Sequence, residues 1–180
     1  MSVLNIIQYP DPILREESEP VHTLSPAIIT LIQDMKDTMI ACGHALGLSA
    51  IQVGQPLRII IVDKGDNNLV EYINPVIVSA TGKYSVQEGC LSFPDITDGI
   101  QRAKQITFAH EVFYENNVSE WTISFSSAPS VLSYTKTETV TDLMAVVIQH
   151  EIDHLNGVLM YDHMSRQYQK KVDKIFKVRP

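Results

Sequence analysis

The segment Gln149–Gly157, with the sequence QHEIDHLNG, contains two histidines four residues apart and a glutamate between them. On a helix, His150 and His154 lie on the same face about one turn apart, so both imidazoles can bind one metal ion. Glu151 is placed to exchange protons with a water molecule at that metal. Two ordinary, half-buried histidines are the alternative. Burying a glutamate among apolar residues without a partner costs several kcal/mol, however, so the pattern favours a metal site.

The residues before this segment indicate that it is helical. Val140–Ile148 is apolar, carries only Asp142 as a charge, and contains neither glycine nor proline. Gly157 follows the last periodic position and is typical of a helix end.

A catalytic metal centre of this kind takes three protein ligands and keeps one position for water, so a third Cys, His, Asp or Glu is expected elsewhere in the chain. Cys42 ends an apolar run in a predicted helix and is interpreted as a small core residue. Cys90 lies in Glu88–Ser92 (EGCLS), where a predicted strand leads into a turn before Pro94 and can present a thiolate. The other histidines show no spacing that pairs them and are interpreted as surface or hydrogen-bonded side chains: His22, His44, His110 and His163.

Three segments together resemble the signature motifs of the peptide deformylase family. Two are EGCLS at Glu88–Ser92 and QHEIDHLNG at Gln149–Gly157. The third, ALGLSAIQ at Ala45–Gln52, is similar to the family's Gly-x-Gly-Leu-Ala-Ala-x-Gln, with Ala45 in place of a glycine and Ser49 in place of an alanine. The opening YPDPILR also resembles the family's N-terminal segment, so the similarity covers nearly the whole chain.

The resemblance implies a metal-dependent hydrolase that removes the N-formyl group from N-formylmethionyl nascent polypeptides and releases formate. It implies that Cys90, His150 and His154 hold one divalent metal ion with a water in the fourth position. One sulfur and two imidazoles suit zinc or iron and do not choose between them. The resemblance implies Fe²⁺ in the cell, with Zn²⁺, Ni²⁺ or Co²⁺ possible in a purified sample. Glu151 would be the general base.

By the same resemblance, the side-chain amide of Gln52 and the backbone N–H of Leu91 stabilise the oxyanion of the reaction. A structural amide that closes a loop is the alternative role for Gln52. The substrate would contact a further set of residues: Leu46, Gly47, Val86, Glu88, Gly89, Leu143, Val146 and Val147. The alternative for the three on the predicted metal helix is that they are simply core residues, and several are expected to have both roles.

Composition agrees with an enzyme of modest size. The chain has 180 residues and 44% hydrophobic content, from which we expect a single catalytic domain over residues 1–180. The start MSVLNIIQYP lacks the basic and long apolar regions of a signal peptide, and no apolar run is long enough to cross a membrane. We therefore expect a cytoplasmic monomer that binds neither membrane nor DNA.

The net charge of −7 is unevenly distributed. Residues 163–180 carry six Lys or Arg and one Asp, a net charge of +5, so the remainder carries −12. The pattern predicts a basic amphipathic C-terminal helix. It is interpreted as a helix that docks its apolar face on the domain. A contact with the ribosome through its basic face is the second hypothesis, and would depend strongly on salt.

The predicted fold class is α+β, with mixed or antiparallel strands packed around a central metal-binding helix and with an N-terminal and a C-terminal helix. Ser25 and Gly43 bound the N-terminal helix. The predicted strands are Leu57–Val62, one or two within Leu69–Ala80, and the pair Gln105–Phe113 and Ser119–Phe125 with its turn at Glu115–Val118.

Two features depart from the family pattern. Tyr114–Asp142 is longer than usual, and its part Ser126–Thr139 has no clear periodicity, so it is interpreted as a surface excursion or a lid. Thr97 occupies a position where many members carry an arginine, whereas Arg102 matches a later family arginine and is expected to pair with Glu88.

Two other functions stay open from the sequence. A metallopeptidase or another amidase could use the same metal chemistry. A non-catalytic binding module could keep the metal for structure, although a structural site has no use for a general base such as Glu151.

Overall fold

The computed structural model describes residues 2–115 and 131–177, which form seven β-strands and four α-helices. The strands are β1 (Gly47–Ser49), β2 (Ile59–Asp63), β3 (Leu69–Thr81), β4 (Tyr84–Cys90), β5 (Phe93–Arg102), β6 (Gln105–Glu115) and β7 (Val131–Thr141). The helices are α1 (Pro26–Cys42), α2 (Asp142–Leu155), α3 (Met160–His163) and α4 (Arg166–Ile175). The predicted α+β class is confirmed.

Helix α1 begins and ends where its capping residues predict. The Oγ of Ser25 accepts a hydrogen bond from the backbone N–H of Ile28 at 3.3 Å, which satisfies one unpaired donor of the first turn. Gly43 adopts a left-handed conformation with φ 72° and donates to the last carbonyls of the helix. Cys42, expected in the core, is only half-buried at the last position of α1.

The described strands form two antiparallel sheets, one with the order β1-β2-β3-β6-β7 and one made of β4 and β5. Strand β2 lies within the predicted strand Leu57–Val62, and its first four residues, Ile59–Val62, are apolar without alternation. Ile59 and Ile61 pack on the side of α1, whereas Ile60 and Val62 pack with residues of α2. Because both faces of β2 are covered, every one of these side chains is buried.

The predicted partner of β6 was wrong. The structure pairs β6 with β7 along its full length and with β3 on its other edge. Residues Ser119–Phe125 and the predicted turn between the strands lie outside the described residues. Most of Ser126–Thr139, interpreted as an excursion or a lid, is strand β7. Nearly all its described side chains are exposed, so the apolar alternation that marks a half-buried strand is absent.

Helix α2 follows β7 directly and contacts strands of both sheets. All residues from Ala145 to Ile152 are buried, although three of them are polar or charged. After the helix, Gly157 has φ 68°, and a Cβ at this position would lie 2.5 Å from the carbonyl oxygen of Arg15. Glycine is therefore required where the chain leaves α2.

The C-terminal helix is shorter than the predicted 163–180 and is docked on the domain, as the first interpretation proposed. In α4, Val172 is fully buried, and Tyr168 and the following Phe176 pack against a cluster that includes Phe93. Its lysines are exposed on the other face. In the described parts of the chain, no helix combines the length and the apolar character needed to cross a membrane.

Candidate active site

Three sequence-predicted metal ligands lie together where the two sheets meet α2. Cys90 is the last residue of β4, immediately before the turn that leads into β5. His150 and His154 lie one turn apart on α2, and the Sγ of Cys90 is 3.3 Å from the Nε2 of His154. The candidate ligand atoms of the three residues all lie within 4.8 Å of one another.

The chemistry of these side chains fits a divalent metal ion. A soft sulfur and two imidazoles are donors suited to zinc or iron. Burial and the neighbouring His150 lower the pKa of His154 well below its usual range, so its imidazole is neutral and has a lone pair to share. The Nδ1 of His150 is 2.9 Å from a carboxylate oxygen of Glu88, which leaves the other ring nitrogen for a metal.

Glu88 belongs to a buried charge network behind the metal ligands. Its carboxylate accepts two hydrogen bonds from Arg102, at 2.8 and 3.0 Å, so the predicted pairing of these residues is confirmed. Burial opposes the ionisation of Glu88, but hydrogen bonds from His150 and Arg102 lower its pKa to about 2. The sequence predicted that Glu88 contacts the substrate. The residue does line the cavity described below, but its carboxylate orients His150.

Two further members of this network were not predicted. Asp153 accepts hydrogen bonds from Arg102 and, at 2.8 Å, from the Nε2 of His163. The only sequence signal for Asp153 is its position between the two histidines of the metal motif. His163 lies on α3 and had no sequence signal, because its contact depends on how the chain turns back after α2.

Glu151 is almost completely buried beside the ligands, and its Oε2 has no hydrogen-bond partner within the described residues. Burial raises its pKa to about 7, against the opposing electrostatic effect of His150 and a hydrogen bond from the hydroxyl of Ser49. Strand β1 borders this carboxylate so closely that a Cβ at Gly47 would lie 2.5 Å from its Oε1. A buried acid that titrates near neutrality can accept and return a proton.

Gln52 approaches the same place from the short 3-10 turn Ala50–Val53 that follows β1. Its Nε2 donates to the Oγ of Ser92 at 3.2 Å and lies 3.5 Å from the Sγ of Cys90. Leu91, the other predicted oxyanion donor, is half-buried in the turn after Cys90. Both residues therefore lie next to the candidate ligand atoms.

A cavity of about 620 Å³ opens onto these groups. All eight residues predicted to contact a substrate line it: Leu46 and Gly47 at the start of β1, Val86, Glu88 and Gly89 on β4, and Leu143, Val146 and Val147 on α2. Leu46 and Leu143 are 44% and 47% exposed and form its mouth, whereas Val146 and Val147 lie at its buried end. Phe93 and Ile96 of β5 also line it and were not predicted.

Two of the departures from the family pattern lie on this cavity. Ala45 and Thr97 both contribute to its lining, and the carbonyl oxygen of Thr97 accepts a hydrogen bond from the hydroxyl of Tyr168 on α4. A side chain of the C-terminal helix thus contacts a strand that lines the cavity.

Comparisons with known proteins identify the same family over almost the full chain. The family model described as polypeptide deformylase matches residues 3–170. A peptide deformylase of Helicobacter pylori (strain Shi470) is 35% identical, over 98% of this chain and 94% of that protein. One of Rhodopseudomonas palustris (strain BisB18) is 39% identical, over 92% of this chain and 88% of that protein. The crystal structure of a peptide deformylase from Legionella pneumophila superposes with a TM-score of 0.79 at 31% identity, covering 99% of this chain and 100% of that one.

Proposed function

The chain belongs to the peptide deformylase family, and on that premise we propose that it removes the formyl group from N-formylmethionyl ends of nascent polypeptides. The products are formate and a peptide with a new free amino terminus. One observation carries the proposal. The candidate ligands Cys90, His150 and His154 meet the buried acid Glu151 at a largely apolar cavity. Because its substrate is a nascent chain, the enzyme would act in the cytoplasm.

The three candidate ligands hold one divalent metal ion in this proposal. We assign Fe²⁺ in the cell and expect that Zn²⁺, Ni²⁺ or Co²⁺ can replace it in a purified sample. When bound, such an ion supplies Lewis-acid chemistry and lowers the pKa of a coordinated water toward about 7. Glu88 contributes by fixing the ring of His150 through the 2.9 Å contact at Nδ1.

Glu151 moves the proton in the reaction. Its unpartnered Oε2 accepts a proton from the attacking water as the water oxygen bonds to the formyl carbon. The same carboxyl then gives the proton to the amide nitrogen as the carbon–nitrogen bond breaks. Within the described residues, no group forms a hydrogen bond with Oε2, so this oxygen is available for both proton transfers.

Gln52 and Leu91 stabilise the charge that develops on the formyl oxygen. The Nε2 of Gln52 already lies near the Sγ of Cys90, and the backbone N–H of Leu91 is adjacent in sequence to this ligand. Donors fixed in place before the reaction are most effective where water is excluded. The buried position of Gln52, which is 1% exposed, satisfies that condition.

The cavity selects the substrate. Val146 and Val147 at its buried end, with Val86, provide an apolar surface for the methionine side chain. The peptide backbone would lie along the strand edges near Gly47 and Gly89, where a hydrogen-bonded extended segment can add to a sheet.

The test is an anaerobic assay of formate release from a formyl-Met tripeptide. The apo protein is compared with protein reconstituted with Fe²⁺, Ni²⁺ or Zn²⁺, and the unformylated peptide serves as the control. We expect metal-dependent formate release and no cleavage of the control peptide. Cleavage of the unformylated peptide would identify a metallopeptidase instead, and metal binding without formate release would identify a binding module.

We also propose that the exposed lysines of α4 contact the ribosome, where formylated chains emerge. Lys170, Lys171 and Lys174 are exposed, while Val172 anchors the helix. Replacing these lysines with glutamine should weaken co-sedimentation with ribosomes and reduce its salt dependence without disturbing the docked face. Unchanged co-sedimentation would remove this part of the proposal.

A further inference from the structure

Ser49, the last residue of β1, has a fully buried side chain next to the candidate active site. It stands where the family motif quoted above has an alanine, so its hydroxyl is a feature of this chain. Both the backbone N–H and the Oγ of Ser49 donate to the Oε1 of Gln52, each at 2.9 Å. Two donors thus converge on one amide oxygen.

These contacts fix which end of the Gln52 carboxamide faces the site. A backbone N–H can only donate, so the atom opposite Ser49 must be the amide oxygen and not the amide nitrogen. The Nε2 is then directed to the side of Ser92 and Cys90, at 3.2 and 3.5 Å. The hydroxyl donates a second hydrogen bond to the same oxygen, which restricts rotation of the Gln52 amide about χ3.

The same three-residue strand also borders the candidate general base. Gly47 leaves room for the carboxylate of Glu151, and Ser49 lies two positions later, with its side chain turned to Gln52. Strand β1 therefore sets the relative placement of a proton-transfer group and a hydrogen-bond donor. Because the Ser49 hydroxyl also lowers the pKa of Glu151, an effect of Ser49 through this acid has to be separated from one through Gln52.

We propose that Ser49 is a positioning residue whose hydroxyl holds the Gln52 amide so that its Nε2–H points at the formyl oxygen of the substrate. The inference rests on the proposed function. Because the hydrogen bond from Gln52 strengthens as charge develops on that oxygen, a poorly held amide lowers kcat more than it raises KM.

The first test is Ser49→Ala in the Zn²⁺-reconstituted protein. Loss of one buried hydrogen bond to the amide should lower kcat about tenfold, with KM changed less than about twofold. Metal content should stay at the wild-type value. Thr38→Val is the matched control, because Thr38 is another buried hydroxyl, bonded to the backbone of Asp34 and Leu4, and its loss should leave kcat unchanged.

A double-mutant cycle shows whether Ser49 acts through Gln52. In a Gln52→Leu background, Ser49→Ala should have no further effect on kcat, because the group that it positions is gone. An equal loss of kcat in both backgrounds, or a wild-type kcat in the single variant, would overturn the inference. A wild-type protein that releases no formate would instead overturn the proposed function.

An independent readout does not require turnover. The side-chain ¹⁵NH₂ resonances of Gln52, assigned by their absence in Gln52→Leu, should report a rigid amide in the wild-type protein. Ser49→Ala should lower the order parameter of that group and leave those of other buried amides, such as Gln149, unchanged. An equally rigid Gln52 amide in both proteins would refute the positioning role, whether or not the enzyme is active.

Discussion

Replacing Gly47 by alanine should disable the candidate general base without disturbing the metal ligands. A Cβ at this position would lie 2.5 Å from the Oε1 of Glu151, 2.8 Å from its Cγ and 2.9 Å from its Cδ. Ordinary contact begins near 3.4 Å. The backbone of Gly47 is not in the left-handed region, so alanine is compatible with it and the steric contact alone decides the effect.

The magnitude follows from the displacement. Glu151 is 4% exposed on a packed helix, so its carboxylate must move by about 1 Å, and a misplacement of this size can lower a rate about 100-fold. We expect kcat/KM for a formyl-Met peptide to fall by about this factor, with one metal ion per chain retained. Gly99→Ala is the control, because its Cβ would meet only the Nε2 of Gln87, at 3.6 Å.

The assay combines formate release, metal analysis and thermal unfolding of the three proteins. A Gly47→Ala variant with more than half of the wild-type kcat/KM would refute the reasoning, because the carboxylate would then tolerate displacement. Loss of the metal together with activity would show that the contact is transmitted to His150 and not confined to Glu151.

Three further perturbations separate the roles of acidic residues. Glu151→Ala should keep the metal, because the three candidate ligands remain, but should lower kcat about 10²- to 10⁴-fold; near-normal turnover would remove it as the base. Glu88→Gln should weaken metal affinity about 10- to 100-fold by releasing the ring of His150, which a chelator titration measures, and unchanged affinity would contradict this. Glu138→Gln tests β7: hydrogen bonds from Lys136 and Lys64 outweigh burial and lower the pKa of Glu138 to about 2. The free energy of unfolding of the wild type should therefore exceed that of the variant by about 1 kcal/mol at pH 7, and this difference should vanish as pH falls from about 4.5 to about 2. Urea unfolding of both apo proteins measures it, and a difference that stays constant over this pH range would refute the reasoning.

Some of the site is determined by local sequence. The four-residue spacing of His150 and His154 places both on one helix face whatever surrounds the helix, because the period of an α-helix is intrinsic to its backbone. The ends of α1 were predictable for the same reason, since Ser25 and Gly43 satisfy hydrogen bonds within a few residues. The apolar run Ile59–Val62 likewise indicated a buried strand.

Other features were decided only by tertiary structure. Most described side chains of β7 are exposed, so its sequence shows no apolar alternation that would predict a strand. It is a strand because its backbone pairs with the edge of β6. The hydrogen bond from His163 to Asp153 exists because α3 turns back beside α2.

The same distinction separates Gly47 from Ser49, which lie two residues apart in one motif. The contact of Ser49 with Gln52 spans only three residues and follows the local Ser-x-x-Gln capping pattern, so local sequence determines it. The contact of Gly47 with the carboxylate of Glu151 exists only because β1 packs beside α2. Helical spacing and capping depend on neighbours within a few residues and can be deduced from local sequence. Contacts across about 100 residues depend on the packing of the whole chain, which only the tertiary structure specifies.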